Sequence, residues 1–308
     1  MQIFLTGGTG LVGTKLVPRL IEAGHQVLLL TRDAKKVPPR SGLEVVEGDP
    51  TQTGPWLHRL AECDAVIHLA GEPVFGRRWS RRFKERIRES RVVSTQLVSQ
   101  ELAQHPLRKD GSPKIFLCAS AIGFYGMRLN DEESDETSPP GKDFLAEVSV
   151  EWEKACQPAR DAKCRVVNIR VGVVLDASGG ALPKMVRPFK WFLGGVLASG
   201  KQWISWIHYQ DMVGLIEFAL NNSHVEGPIN ATSPEPIKNW GFSKTLGKVL
   251  SRPCWFPTPG FILRIVVGPG AEIVTQGQRV LPRKAEQLGY HFHFTDLEAA
   301  LRDVLNRK

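Results

Sequence analysis

The first 21 residues place a glycine-rich turn between an apolar stretch and a segment of helical periodicity. Gln2–Thr6 reads as a short buried strand, and Gly7, Gly10 and Gly13 follow at intervals of three. The apolar positions after the turn recur at helical spacing: Leu11, Leu16, Leu20 and Ile21. Glycines at such a junction let the backbone approach a pyrophosphate, which the free N–H groups of the helix N-terminus bind. The alternative is a tight strand-to-helix turn without a ligand.

Apolar stretches of strand length alternate with helical patterns over the first 180 residues. The strands predicted after the first are 26–31, 43–46, 65–70, 114–119 and 166–174. This alternation predicts an α/β fold, a doubly wound parallel sheet of the Rossmann type. Because the last third is more mixed, we expect a dinucleotide-binding domain over 1–175 and a smaller mixed α/β C-terminal lobe over 176–308. That lobe would cover the carboxyl edge of the sheet and enclose the substrate.

The composition is that of an ordinary globular chain, with 308 residues, 42% of them hydrophobic and 23% charged. No apolar run approaches the roughly 18 residues that a membrane span needs. The five cysteines are scattered and form no C-x-x-C pair, which is typical of reduced thiols. We therefore expect a cytoplasmic protein with no membrane partner and no metal. His291 and His293, on a predicted strand, lack a third ligand.

Much of the net charge of +8 lies in one helical segment, predicted over about 80–104 with its flank. Its first part holds eight basic residues: Arg77, Arg78, Arg81, Arg82, Lys84, Arg86, Arg88 and Arg91. One interpretation is a nucleic-acid site. The other is a solvated helix with one or two arginines facing an anionic cofactor. The second is favoured, because no helix-turn-helix, zinc-finger or RNA-recognition signature accompanies the run.

The second strand ends at Thr31 and Arg32, where a Rossmann-type fold meets the adenosine ribose. A guanidinium pairs with a 2′-phosphate through two hydrogen bonds, so Arg32 favours NADP(H). Asp33 keeps NAD as an alternative, because a carboxylate there accepts hydrogen bonds from the ribose hydroxyls. Asp49, after the third strand, either accepts from the adenine amino group or caps its own loop.

Polar side chains near the carboxyl ends of later strands are the candidates for chemistry. The fifth strand delivers Ser120 at its end. His208 and Asp211 begin a helix, where Asp211 either supports the site or stabilises the helix N-terminus. Arg170 lies inside a buried strand, so we expect it to pair with a carboxylate.

Five stretches together resemble the extended short-chain dehydrogenase/reductase superfamily, in its NAD(P)-dependent epimerase/dehydratase family. They are TGGTGLVG at 6–13, HLAGEP at 68–73, SAIGFYG at 120–126, IRVGVVL at 169–175 and WIHYQDM at 206–212. Further marks resemble the atypical SDR39U1 subgroup, which includes the bacterial YfcH type. They are RRW at 77–79, SGKQWISWIH at 199–208 and GQRVLPRKAEQLGYHF at 277–292. The resemblance covers almost the whole chain.

The resemblance implies a cofactor site built from the first strands, the long helix and the sixth strand. Its residues are Gly7, Thr9, Gly10, Leu11, Val12 and Gly13 at the diphosphate, Thr31 and Arg32 at the ribose and 2′-phosphate, His68, Leu69, Ala70 and Gly71 by backbone, Arg86 and Arg91 from the helix, and Val174 beside the nicotinamide. The alternative for Arg32, Arg86 and Arg91 is a side chain that lies in solvent and does not contact the cofactor. Relatives often dimerise through helices flanking the sheet, so a homodimer is one assembly that the resemblance allows.

The chain departs from the superfamily at the catalytic centre. Its members carry Ser or Thr and, about two dozen residues later, a Tyr-x-x-x-Lys helix in which Tyr is the general acid/base and Lys lowers its pKa. Here Ser120 is present, but Phe144 and Val148 stand at the two later positions. Tyr125 is the tyrosine closest to Ser120 in sequence, and is either a substitute acid or a loop-packing side chain.

Two functions follow from these observations, with a third ranked last. The cradle and Ser120 predict an NADP(H)-dependent oxidoreductase or epimerase with altered acid/base residues and an unnamed small-molecule substrate. The replaced Tyr and Lys positions instead predict a sensor or scaffold protein that binds NADP(H) without turnover. Nucleic-acid binding through the basic run is the third.

Overall fold

The computed structural model describes residues 1–74, 79–127, 130–260 and 275–306. Its strands, β1 to β13 in chain order, are Gln2–Thr6, Gln26–Thr31, Leu43–Glu47, Ala65–His68, Ile115–Ala121, Glu133–Ser134, Arg165–Val171, Val173–Leu175, Trp203–Ile204, Trp206–His208, Gly227–Ala231, Ile237–Lys238 and Arg279–Val280. The helices described, α1 to α9, are Gly13–Glu22, Arg81–Gln104, Phe144–Lys154, Gln157–Asp161, Leu182–Lys190, Tyr209–Asn221, Asn239–Leu250, Arg283–Gln287 and Leu297–Val304. Short 3-10 helices span Ala34–Lys36, Pro55–Leu60 and Ile122–Tyr125.

A seven-stranded parallel sheet forms the centre of the molecule, in the order β11-β7-β5-β4-β1-β2-β3. The chain builds β1, β2 and β3 toward one edge and then returns to place β4 on the other side of β1. The loops after β1 and β4 therefore lie side by side at the carboxyl edge, at the point where ligands bind in sheets of this type. The predicted doubly wound α/β fold is confirmed.

Alternate residues of each strand pack on opposite faces of this sheet, as the two-residue period of a strand requires. Ile3 and Leu5 lie in the core formed with α1 and α6, whereas Phe4 lies in the core that contains Trp152 of α3. Helices thus cover both faces, which explains why the strands read as nearly continuous apolar runs.

The chain returns to the central sheet well after the boundary expected at 175/176. Strand β11 pairs with β7 in parallel, and α6 packs its apolar face into the core on one side of the sheet. The smaller C-terminal part has its own core, formed by α5, α7, α9 and short strands, in which Trp206 and Phe242 are buried. The two-part division by sequence position does not coincide with the end of the sheet.

Two predicted strands differ from the structure. The segment 166–174 is divided at Gly172, where a Cβ would lie 2.5 Å from the carbonyl oxygen of Ser205, and the chain after it leaves the sheet to pair with β10. The strand predicted around His291 and His293 is wrong. In the described part of the chain no strand pairs with this segment, and the His293 amide donates to the Asp211 carboxylate of α6.

Over the ranges of the chain given above, the helices include none with the length and apolar character needed to span a bilayer.

Candidate functional site

The glycines between β1 and α1 form a backbone cradle that has no room for side chains. Gly7 has a φ of +72°, and a Cβ there would lie 2.6 Å from the carbonyl carbon of Leu69 in the loop after β4. A Cβ on Gly13 would lie 2.4 Å from the Gly7 oxygen. Because both positions admit only hydrogen, the loops after β1 and β4 pack backbone to backbone at the carboxyl edge.

The N-terminus of α1 opens directly into this cradle. Its cap residue Val12 provides no side-chain hydrogen bond, and the first turn carries no acidic residue. The positive end of the helix dipole therefore points into the cradle without a neutralising carboxylate, while the amides of Thr14 and Lys15 donate to the Gly10 and Val12 carbonyls. Leu11 and Val12 pack against the core cluster that also contains Val174.

Arg91 of α2 lies against the loop after β4. A Cβ on Gly71 would lie 3.5 Å from the Arg91 guanidinium carbon, and Arg91 Nη1 donates to the Ile87 carbonyl at 3.0 Å. Its guanidinium also lies 5.1 Å from the ring centroid of Trp152. Within the described ranges no carboxylate forms an ion pair with it, and burial lowers its pKa to about 10. A partly buried cation beside a backbone cradle is arranged to receive an anion.

Arg32 and Asp33, the two residues that discriminate between cofactors, have different surroundings. Arg32 is exposed at the end of β2. Asp33 Oδ1 accepts from the Lys35 amide at 3.2 Å, and its Oδ2 lies 3.1 Å from Lys36 Nζ. The Asp33 carboxylate therefore caps its own 3-10 turn and pairs with Lys36, whereas Arg32 presents an exposed charge beside it. Asp49 likewise caps its loop, accepting from Thr51.

His68 is fully buried and links three elements beneath the cradle. Its Nδ1 lies 2.7 Å from Thr6 Oγ1 on β1, and its Nε2 lies 3.0 Å from Ser94 Oγ on α2. Burial lowers the pKa of His68 to about 4, so the ring is neutral at physiological pH. The Thr6 hydroxyl also accepts from the Ala70 amide, so this chain of hydrogen bonds positions the backbone that the resemblance assigned to the cofactor.

Ser120 belongs to a buried ionic network that the sequence did not reveal. Its Oγ donates to Glu153 Oε1 at 2.7 Å. Arg170 contacts the same carboxylate through Nε at 2.8 Å and Nη2 at 2.9 Å. Arg170 thus pairs with a carboxylate, as expected, and that carboxylate comes from α3. The Ser120 proton is committed to Glu153 in this arrangement.

Tyr125 extends the network toward the edge of the sheet. Its hydroxyl donates to Asn230 Oδ1 at 2.7 Å and accepts from Arg170 Nη1 at 2.9 Å. Its side chain is fully buried, and burial raises its pKa to about 12. Ser120, Arg170 and Asn230 are register neighbours on β5, β7 and β11, so one transverse row supplies three members of the network. These contacts favour the packing interpretation of Tyr125 over a role as acid.

An apolar cluster occupies the two positions where Tyr and Lys were expected. Phe144, at the start of α3, meets Trp79 edge to face with a centroid distance of 5.7 Å. Val148 is buried against Phe83 and Ile87 of α2. Lys84 Nζ lies 4.9 Å from the Phe144 ring centroid.

The remaining polar candidates have structural contacts. Asp211 accepts from the amides of His293 and Phe294 at 2.8 and 2.9 Å, and His208 Nε2 lies 3.0 Å from Asp303 Oδ2. Both therefore attach the C-terminal segment to α6. The Arg86 guanidinium lies over the Phe83 ring at 5.4 Å, and no contact in the described ranges directs it to the cradle. Arg77 and Arg78 lie outside the described residues.

Comparison with known proteins agrees with this architecture. The family model for the NAD dependent epimerase/dehydratase family matches residues 3–231, and a domain of unknown function, DUF1731, matches residues 258–304. An Arabidopsis thaliana relative, the chloroplastic SDR39U1 homolog of the epimerase family, is 40% identical over 99% of this chain and 87% of its own. The Bacillus subtilis epimerase family protein YfhF is 37% identical over 99% of this chain and 98% of its own.

A solved structure is similar to this chain in its three-dimensional fold. The crystal structure of human epimerase family protein SDR39U1 (isoform 2) with NADPH is 33% identical, has a TM-score of 0.86 and covers 99% of both chains. The chain belongs to the NAD dependent epimerase/dehydratase family. Within that family it falls in the SDR39U1 group of epimerase family proteins, as the motifs predicted.

Proposed function

We propose that this protein binds NADP(H) between the loops after β1 and β4 and is an oxidoreductase or epimerase of a small molecule. The observation that carries the proposal is Arg91, a partly buried cation beside the cradle without an ion pair in the described ranges. The human SDR39U1 structure was solved with NADPH, which supports the same cofactor here.

The residues present fit such a cofactor. The diphosphate would lie on the Gly7 to Gly13 backbone and the α1 N-terminus, because added Cβ atoms would fill that space. The exposed Arg32 would bind the 2′-phosphate, since Asp33 is used by Lys36. When bound, the nicotinamide would supply hydride transfer. The free cysteines support a cytoplasmic location. We also propose a homodimer, because the family resemblance allows this assembly.

Ser120, near the end of β5, is the proposed polar contact to the substrate. Tyr125 holds Arg170 and Asn230 in place through its hydroxyl. In the resting arrangement the Ser120 proton is directed to Glu153, and Phe144 and Val148 transfer no proton. These contacts favour a second candidate, a sensor or scaffold that binds NADP(H) without turnover. Two assays against a panel of carbonyl compounds and nucleotide sugars separate the candidates. NADPH oxidation detects an oxidoreductase, and analysis of the recovered sugars for epimers detects an epimerase, which leaves no net oxidation of its cofactor; the sensor or scaffold gives neither signal.

The binding experiment is a fluorescence titration of the full chain with NADPH. Arg91→Met should weaken NADPH binding about 10- to 100-fold, because a charge-assisted contact contributes about 1.5–3 kcal/mol. The free energy of unfolding without ligand should not fall, since the change removes a desolvated cation. Arg88→Met is the matched control on the same helix, because Arg88 pairs with Glu151 at 3.1 Å instead. Unchanged NADPH affinity in Arg91→Met would refute the assignment.

A further inference from the structure

Lys84 occupies an aromatic slot that the cofactor site does not use. Its Nζ lies 4.9 Å from the ring centroid of Phe144 and 5.7 Å from that of Trp79. The two rings meet edge to face, at an interplanar angle of 74°. Lys84 is half-buried, and its ammonium is held over two aromatic rings, which attract the cation.

Three carboxylates of α2 and α3 are paired with arginines of α2. Glu85 Oε1 lies 3.2 Å from Arg81 Nε, and Glu147 and Glu151 lie 3.8 and 3.1 Å from Arg88. Among the residues that the structure describes, Lys84 makes no ion pair. Glu85, Glu147 and Glu151 therefore do not neutralise its positive charge, and an incoming anion would be its first ionic partner in the described part of the structure.

The slot stands beside the cradle at the carboxyl edge of the sheet. Trp79 Nε1 donates to the Val74 carbonyl at 3.0 Å, three residues beyond Gly71 in the loop after β4. Phe144 opens α3, which packs against the 3-10 helix that follows Ser120. Lys84 precedes Arg91 by seven residues, so the two cations lie on one side of α2, about 10 Å apart along its axis.

We propose that Lys84, Trp79 and Phe144, the Lys84 slot, bind the anionic group of the substrate. The substrate class is then a small carbonyl compound that carries a carboxylate or a phosphate. Arg91 holds the cofactor and Lys84 holds the substrate two helical turns away, with the aromatic walls excluding water from the ion pair. This inference rests on the proposed function, because it takes the cradle as the cofactor site.

The test is calorimetric titration of the full chain, saturated with NADP⁺ so that no turnover occurs, with three probes. Pyruvate represents carboxylates, inorganic phosphate represents phosphates, and acetone is the neutral control. We expect pyruvate or phosphate to bind and acetone to bind at least about tenfold more weakly, as loss of a charge-assisted contact requires. The probe that binds, pyruvate or phosphate, shows whether the anionic group of the substrate is a carboxylate or a phosphate.

Variants locate the binding. Lys84→Met should abolish anion binding and leave NADPH affinity unchanged, whereas Lys84→Arg should retain it. Lys244→Met is the matched control, because Lys244 Nζ also lies over an indole ring, 5.8 Å from the Trp240 centroid, away from the cradle. Should Lys84→Met fold poorly, Lys84→Gln replaces it. Anion binding that persists without the Lys84 charge, or no anion binding to the cofactor-saturated protein, overturns the inference. Failure to bind NADPH at all refutes the proposed function, which the cofactor titration detects separately.

Discussion

The guanidinium of Arg170 contacts the carboxylate of Glu153 through two hydrogen bonds, 2.8 Å from Nε to Oε1 and 2.9 Å from Nη2 to Oε2. Both side chains are largely withdrawn from water, with exposed side-chain fractions of 4% and 13%. The pair connects the last turn of α3 to the carboxyl end of β7. A buried ion pair adds little net stability compared with apolar residues, but loss of one partner leaves an unpaired buried charge.

Glu153→Gln should therefore lower the free energy of unfolding by about 3–5 kcal/mol, because Arg170 keeps its charge without a counterion. Urea unfolding at pH 7 measures this change. Glu147→Gln, on the same helix but exposed, should lower it by less than about 1 kcal/mol. Equal effects of the two substitutions would show that the Arg170 contact contributes no more than a surface pair.

Arg32→Ala should reduce the affinity for NADPH about 10- to 100-fold and leave the affinity for NADH unchanged, because only NADPH carries the 2′-phosphate. Titration of both dinucleotides by nicotinamide fluorescence measures the ratio. Lys35→Ala, an exposed cation close by in sequence, serves as the control and should change neither affinity by more than about threefold. Equal losses for NADPH and NADH in Arg32→Ala would contradict the assignment of Arg32.

Gly13→Ala should destabilise the ligand-free protein by about 1–3 kcal/mol, because the new methyl group must displace backbone atoms. The added Cβ would lie 2.4 Å from the Gly7 oxygen and from Gly8 Cα. Gly10→Ala is the paired variant, since its Cβ would meet only the Gly7 oxygen, at 3.1 Å. Thermal and urea unfolding of both variants give the comparison, and a Gly10→Ala loss as large as that of Gly13→Ala would speak against close backbone packing as the cause.

Acidification should destabilise the protein through His68. Burial lowers the pKa of His68 to about 4 in the folded protein, whereas an unfolded histidine has its ordinary pKa of about 6.5, so the unfolded chain binds the additional proton as the pH falls through 6.5. The contribution is complete above that pH and is lost progressively until about pH 4. Between pH 7 and pH 5 the free energy of unfolding should fall about 2 kcal/mol further in the native chain than in His68→Gln. Parallel pH dependences of the two proteins would exclude His68 as the titrating group.

The local features of the fold were predictable because short-range periodicity encodes them. The strand-glycine-helix unit at Gly7 to Gly13 and the long helix α2 are confirmed within a few residues. The divided strand at Gly172 was not predicted, because a glycine within an apolar run does not reveal that the carbonyl of Ser205 approaches it.

The buried network that contains Ser120, Glu153 and Arg170 could not be predicted from the sequence, for a different reason. Ser120, Arg170 and Asn230 become neighbours only through the register of strands that are far apart in sequence. Local patterns contain no information about that register. One signal was available: a charged Arg170 in a buried strand requires a carboxylate, and Glu153 follows the buried Trp152 on a helix that covers the sheet.

The late position of β11 in the chain has a consequence for how the protein is made. Residues 1–175 supply six of the seven strands of the central sheet, but the edge of β7 stays uncovered until Gly227–Ala231 has been synthesised. A nascent chain on the ribosome therefore presents an open strand edge while the following fifty or so residues emerge, and such edges associate readily with other chains. The strand that covers this edge comes from the C-terminal part of the chain, so the central sheet is complete only when Gly227–Ala231 has paired with β7.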